Sequence, residues 1–162
     1  MSTVVTLSSA GTFTDSTLLN VPHVAGLYFV YKENEIGERK LLYIGEADDV
    51  NKRLNGCHEK RCKWDFQLLP GEGTKIIYLI LTSPSVVSSH IRKCVENACV
   101  FKAQPTLNIQ GKDEFHYFGS MKIVFSDVTP AGFDKYFTLF GWQSEKMKRL
   151  LNLLRNMRTR NE

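Results

Sequence analysis

The first strong pattern along the chain is a pair of apolar segments separated by a short polar one. Gly26–Lys32 contains a continuous run of β-forming side chains, which predicts a buried strand. Asn34–Glu38 is polar and includes a glycine, so it is expected to be a hairpin connection. Lys40–Ile44 is then predicted to be the second strand of an antiparallel pair.

One more strand and two helices are predicted after this hairpin. Thr74–Leu81 is the strongest strand signal in the chain. Val50–Gly56 is expected to be a helix, because the two aspartates before it can cap its first turn. A second helix is expected to start at Ser83 and Pro84, and its apolar residues recur at helical spacing as far as Phe101. The order β-β-α-β-α predicts an α+β domain.

The two ends of the chain differ from this central part. Residues 1–20 are rich in serine and threonine and are expected to form an N-terminal arm or edge strand. Residues 21–112 are predicted to be the core, and residues 113–162 a C-terminal extension that packs on it. Within the extension, a strand is expected around Met121–Phe125, and a short helical or turn segment over Asp134–Phe140.

The last segment, Ser144–Arg160, has the pattern of an amphipathic helix with a leucine and methionine stripe on one face. Its other face is basic, and three interpretations stay open. The helix could present basic residues to DNA, form a homodimer contact, or pack on the core with a solvated polar face.

Composition limits the class of protein. With 162 residues, 43% of them hydrophobic, the chain fits one globular domain. No apolar run approaches the roughly 20 residues that cross a bilayer, and no basic segment followed by an apolar run opens the chain. We therefore expect a cytoplasmic protein without a membrane partner, with a nucleoid-associated or nuclear location left open. The net charge of +4 is compatible with a polyanionic partner.

Four cysteines form two Cys-x4-Cys pairs, Cys57 with Cys62 and Cys94 with Cys99. This spacing differs from the Cys-x2-Cys of zinc ribbons, so reduced thiols are expected. His58, next to Cys57, leaves a zinc site as a minor alternative.

Five short motifs occur in a fixed order between residues 26 and 108. They are Gly26-Leu27-Tyr28, Tyr43-Ile44-Gly45, Arg53, Glu96 and Gln104–Asn108, which contains Pro-x-x-Asn. Together they resemble the signature of the GIY-YIG nuclease superfamily, and the later part is also similar to the N-terminal nuclease domain of excision-repair incision proteins. The motifs span roughly half of the chain.

The resemblance implies a small three-stranded antiparallel sheet flanked by helices, followed here by the C-terminal extension and its amphipathic helix. It implies a metal-dependent DNA endonuclease that hydrolyses phosphodiester bonds, as a monomer or a homodimer. Glu96 would hold Mg²⁺, or Mn²⁺. The residues implied to act in catalysis are Tyr28, Tyr43, Arg53, His58 and Asn108.

These residue types suit the reaction. Two tyrosines on adjacent strands can bring their hydroxyls to one point, although a free phenol, with a pKa near 10, is a poor base. The Arg53 guanidinium matches a phosphate. One carboxylate, Glu96, suits Mg²⁺ because this ion keeps most of its waters. Which tyrosine activates the water stays open.

Two positions depart from the family pattern. Glu46 follows Tyr-Ile-Gly where several members carry lysine, threonine or serine, and it adds negative charge near the phosphate site. Cys57 stands where some members use a histidine, and His58 comes one residue later. Two other functions are therefore kept: a nucleic-acid-binding module that does not cleave, and a nuclease specific for RNA or for a nucleic-acid structure.

Overall fold

The computed structural model describes residues 2–56, 63–64, 73–83, 87–141 and the backbone of 143–144. The strands are β1 (Ser2–Thr14), β2 (Gly26–Glu33), β3 (Arg39–Ala47), β4 (Lys75–Thr82), β5 (Glu114–Phe115), β6 (Ser120–Phe125), β7 (Tyr136–Phe140) and β8 (Gln143–Ser144). The helices are a 3₁₀ helix (Asp15–Asn20), α1 (Val50–Asn55) and α2 (Ser89–Ala103). None of these described helices has both the length and the apolar character that crossing a bilayer requires.

The main sheet has six strands in the order β3-β2-β4-β1-β6-β7, and β5 pairs with β8 separately. The prediction of a three-stranded sheet flanked by helices is therefore wrong, although the mixed α+β class is partly consistent. The expected strands β3, β2 and β4 are antiparallel neighbours, but β4 has a further partner, β1. An apolar pattern predicts strands and does not show which edges of a sheet will be extended.

Strand β1 joins the two halves of the sheet. Its second half, from Ser8, runs antiparallel to β4, and its first half, up to Leu7, runs parallel to β6. A bulge between Ser9 and Gly11 interrupts the pairing with β4, and Gly11 has a φ of +133°, which side chains other than glycine rarely adopt. Residues 2–14 are thus an interior strand of the main sheet, where the sequence led us to expect an N-terminal arm or an edge strand.

The sheet is covered by two hydrophobic clusters. One contains Phe29 and Leu79 with Ala98 and Phe101 of α2. The other contains Tyr28 and Val30 with Leu54 of α1 and Trp64. Because successive side chains of a strand point to opposite faces, β2 contributes to both clusters. Burial on both faces explains why its sequence is a continuous apolar run.

The remaining elements agree with the predictions to different degrees. The strand expected around Met121–Phe125 is β6. The helical or turn segment expected over Asp134–Phe140 is instead β7, where Phe137 and Leu139 are buried while their neighbours are more exposed, the two-residue period of a strand. The second helix begins at Ser89, later than expected, with Ser88 as its cap. The predicted C-terminal helix lies outside the described residues.

Candidate active site

The hairpin of β2 and β3 brings the two tyrosines of the motifs together. Tyr28 is paired with Gly45, and Val30 with Tyr43, so both tyrosines lie on the same face, diagonally across the strand pair. Their ring centroids are 6.0 Å apart. Tyr28 is only 1% exposed, whereas Tyr43 is partly exposed. Tyr43 is therefore the tyrosine that a substrate can reach.

Gly45 makes room for the hydroxyl of Tyr28. A Cβ placed on Gly45 would overlap the Tyr28 Oη and the adjacent ring carbons. The third position of Tyr-Ile-Gly must therefore be glycine, because the Tyr28 side chain of the neighbouring strand occupies the space that a Cβ would fill. The two triplets of the motif thus depend on each other.

Helix α1 supplies the positive charge. Asp49 caps the helix by accepting a hydrogen bond from the Lys52 amide at 3.0 Å, as the sequence predicts. Arg53, in the last turn, is exposed and hydrogen-bonds to Tyr28. Burial and the nearby Tyr43 raise the pKa of Tyr28 well above its usual range, and Arg53 opposes this only in part. Tyr28 therefore keeps its proton at neutral pH.

Glu96 is carried by α2, which packs on the other face of the sheet from Tyr28. Burial raises the pKa of Glu96 to about 7, the nearby Glu46 carboxylate adds to this, and Lys93 and Arg53 act in the opposite direction. Glu96 and Tyr43 line one cavity of about 290 Å³. Its other lining residues are Asn97, Val100, Asn108, Ile109 and Gln110.

A charge network of the largely buried Arg92 and Glu46 with the exposed Asp48 connects β3 to α2 beside this cavity. Arg92 Nε lies 3.5 Å from Glu46 Oε2, and a terminal nitrogen of Arg92 is bonded to the Asp48 carboxylate. The same guanidinium donates a hydrogen bond to the Val87 carbonyl at 2.9 Å. Arg92 thus contacts β3 and its following turn, a role that its spacing from Glu96 on one helix does not indicate. The sequence feature that could have indicated this contact is Glu46, the acidic residue directly after Tyr-Ile-Gly.

Asn108 holds the backbone of β3. Its Oδ1 accepts from the Ile44 amide at 2.9 Å, and its Nδ2 donates to the Ile44 carbonyl at 2.8 Å. The side chain is 8% exposed. Because both ends of the amide group are used in this way, the geometry gives Asn108 the role of positioning Tyr-Ile-Gly.

The donor set suits a hard cation better than zinc. Glu96 is an oxygen donor whose burial disfavours its charge, and Glu46 Oε2 is a buried carboxylate oxygen without a hydrogen-bond partner among the described residues. A divalent ion would compensate Glu96, whereas Glu46 already has Arg92 Nε at 3.5 Å. Mg²⁺ or Mn²⁺ accepts a single carboxylate by keeping waters. Across the described ranges, no three histidine, cysteine or acidic residues cluster as a metal site. Cys94 and Cys99 are buried free thiols.

The structure therefore brings Tyr28, Tyr43, Arg53 and Glu96 together from four elements. His58, like Cys57 beside it, lies outside the described residues, so its role stays a prediction. Comparison with known family models, with curated proteins and with solved structures gave no match to this chain.

Proposed function

We propose that this chain is a metal-dependent DNA endonuclease of the GIY-YIG type. The observation that carries the proposal is the convergence of Arg53, Tyr43 and Glu96. Arg53 hydrogen-bonds to Tyr28, Tyr43 packs against Tyr28, and Tyr43 shares a cavity with Glu96. A cation for phosphate, a hydroxyl and a carboxylate are the groups that phosphodiester hydrolysis requires.

Each side chain has a part in the reaction. Arg53 is exposed and binds the scissile phosphate. Tyr43 orients the attacking water at the cavity, while protonated Tyr28 positions Arg53. Water adds to phosphorus and gives up a proton to bulk water, the P–O bond to the leaving group breaks, and the leaving oxygen takes a proton from bulk water. Mg²⁺ or Mn²⁺ held by Glu96 would supply charge stabilisation on the phosphate oxygens and the leaving group.

The test compares wild type with Glu96→Ala and Tyr43→Phe on plasmid, single-stranded DNA and RNA, with Mg²⁺, Mn²⁺ or EDTA. We expect metal-dependent nicking by wild type and a loss of roughly 100-fold or more in Glu96→Ala. Asp134→Ala is the matched control, because it also removes a carboxylate, from a side chain that is 77% exposed and is not among the residues that line the cavity. It should cleave as wild type does.

Three outcomes contradict parts of the proposal. If wild type binds nucleic acid but never nicks it, the chain is a binding module without turnover. If Glu96→Ala cleaves normally, Glu96 does not hold the metal. If RNA is cleaved and DNA is not, the assignment of substrate is wrong while the chemistry stands.

A further inference from the structure

The strands β1, β6 and β7 turn one side of the main sheet away from the cluster that contains α2. Val5, Ile123 and Leu139 point into that cluster. Because side chains alternate along a strand, the residues between them lie on the opposite side, which we call the outer face. Its residues are Ser2, Val4 and Thr6 of β1, Ser120, Lys122 and Val124 of β6, and Tyr136, Thr138 and Phe140 of β7.

Two aromatic side chains of the outer face are exposed. Tyr136 is 59% exposed and Phe140 is 64% exposed, whereas Phe137 and Leu139 between them are buried. Val4, on the other side of β6, is also exposed. Apolar side chains grouped on a surface mark contact with another molecule more often than single ones do. The outer face therefore indicates a binding surface.

The charge of the outer face is positive. Its one charged residue is Lys122, whose Nζ lies 4.6 Å from the centroid of the Tyr136 ring. This contact covers one side of the ring and is weak at an exposed site, so the ammonium group can also meet an anion. The outer face contains no acidic residue. Charge complementarity therefore favours a negatively charged partner.

Aromatic rings beside a cation suit single-stranded nucleic acid. Bases stack on exposed aromatic side chains, and basic groups follow the backbone. Tyr136 and Phe140 are four residues apart on one strand, about 13 Å at 3.3 Å per residue, so each ring can receive its own base. A second copy of this chain fits less well, because a symmetric contact would bring Lys122 against a face without an acidic residue.

The outer face lies on the same side of the sheet as Tyr28. Leu27 and Phe29 of β2 belong to the cluster of Ile123 and Leu139, and Tyr28 points the other way. Four strand spacings separate β2 from β7, about 19 Å at 4.8 Å per strand. A nucleic-acid strand on the outer face can thus continue across the sheet towards the tyrosines.

We propose that the outer face binds a single-stranded segment of nucleic acid, with bases stacked on Tyr136 and Phe140 and a phosphate at Lys122. The inference rests on the proposed function, since the bound segment is taken to belong to the substrate that the nuclease cuts. A substrate with a single-stranded region near the cut is then bound more tightly than a continuous duplex.

Binding is measured by fluorescence anisotropy of labelled oligothymidylate, oligouridylate and a blunt DNA duplex in EDTA. The variant Tyr136→Leu/Phe140→Leu keeps two apolar side chains and removes both rings. Its affinity for the single strands should fall by about 30-fold or more, from two stacks of roughly 1 kcal/mol or more each at about 1.4 kcal/mol per tenfold. Its affinity for the duplex should not change, because paired bases are not available for stacking. The control Tyr136→Phe/Phe140→Tyr keeps both rings and should bind as wild type does.

Salt dependence separates the lysine from the rings. Lys122→Gln should make the slope of log K against log salt less steep by about 0.7 for a single strand, because one phosphate contact is lost. The leucine variant should keep the wild-type slope, since it removes no charge. Its urea midpoint of unfolding should also stay close to that of wild type, because exposed side chains stabilise the fold little.

The results separate this inference from the proposed function. Unchanged binding of single strands by the leucine variant, in a protein that nicks plasmid, overturns the outer face and leaves the nuclease. Weakened binding in a protein that never nicks supports the outer face and contradicts turnover. A much lower urea midpoint in the leucine variant, or its change from dimer to monomer in sedimentation, would show that the rings pack against protein, and the inference would be wrong. Wild type that binds no single strand also overturns it, whatever plasmid nicking shows.

Discussion

At the scale of single residues, the site depends on what lies across the strand from each motif position. Gly45 leaves the space that the Tyr28 hydroxyl occupies, and Glu46, one residue later, meets a buried arginine from α2. Neighbouring positions of β3 thus serve the two faces of the sheet. Gly45 makes room for Tyr28 of the tyrosine pair, and Glu46 contacts Arg92 on the helix that carries Glu96.

Gly45→Ala should destabilise the protein by about 1–3 kcal/mol, because the added methyl group overlaps Tyr28. Cleavage should fall further than the loss of folded protein explains, since Tyr28 must move away from Arg53. Urea denaturation and a nicking assay measure the two effects. Gly37→Asn is the control: nothing lies within 4 Å of its Cβ, and asparagine tolerates its φ of +82°. Wild-type stability in Gly45→Ala would show that the packing around Tyr28 is loose.

Arg92→Met should cost about 3–5 kcal/mol of unfolding free energy, because it leaves the buried Glu46 carboxylate without its cation. The double variant Glu46→Gln/Arg92→Met should recover a large part of that loss, since no buried charge remains. Chemical denaturation of both single variants and the double variant measures the coupling. Simple addition of the two single effects would show that the pair does not interact.

At the scale of elements, β3 is an end strand of the main sheet, and its outer edge is partly closed by the chain after α2. The Leu107 amide donates to the Leu42 carbonyl at 2.8 Å, and Asn108 takes both polar groups of Ile44. Leu107 and Asn108 thus hydrogen-bond to the edge of β3 as a neighbouring strand would, although they do not form a strand themselves. They occupy edge hydrogen-bonding groups on both sides of Tyr43, so these groups cannot pair with another chain.

Asn108→Ala should destabilise the protein by about 1–3 kcal/mol, because the buried amide and carbonyl of Ile44 lose their partners. Hydrogen exchange at the Ile44 amide should accelerate more than exchange in β4. Asn97→Ala, on the exposed surface of α2, should change the free energy of unfolding by less than about 0.5 kcal/mol. Equal effects of the two substitutions would contradict the role of Asn108.

The turn end of the hairpin should make stability depend on pH. Hydrogen bonds from Lys75 and Arg39 hold the pKa of Glu33 below its usual range. A group with a lowered folded pKa stabilises above its unfolded pKa, near 4.3, and this contribution is lost as the pH falls through the folded value. Glu33→Gln should therefore lose less stability than wild type between about pH 5 and pH 3. Parallel curves for the two proteins in urea denaturation would contradict this.

The sequence predicts best the elements whose signal is local. The apolar run of β2, the turn after it and the cap at Asp49 are all readable within a few residues. The sequence predicts poorly the elements whose pairing partners lie far away along the chain. The serine- and threonine-rich β1 and the aromatic β7 have modest patterns of their own and become strands through neighbours far along the chain. The buried contacts of Glu46 and Asn108 likewise need three-dimensional pairing that spacing does not supply.

At the scale of the whole molecule, β1 connects the strands that carry the site with the C-terminal strands of the main sheet. The first half of β1 pairs with β6 and the second half with β4. Its residues Val5 and Leu7 share one hydrophobic cluster with Phe29 of β2 and Ile123 of β6. The site-bearing strands and the C-terminal strands thus have a common core.

A chain shortened to residues 21–112 should fail to unfold cooperatively, because β4 loses its partner and this cluster loses Val5, Leu7 and Ile123. Near-ultraviolet circular dichroism and urea denaturation, with the full chain alongside, measure this. A shortened chain with a sharp transition and native-like aromatic signals would instead show that the core predicted over residues 21–112 folds by itself.

The parallel pairing of β1 with β6 has a consequence for the nascent chain. Ser9 and its hydrogen-bonding partner Asp127 are 118 residues apart. At about 5–20 residues per second, a ribosome needs roughly 6–24 s to make that stretch. The hairpin, β4 and α2 emerge in the meantime, while the first half of β1 waits for its neighbour. Strand β1 is therefore made before its neighbour β6 and completed only after it, and until then its first half exposes an unpaired strand edge.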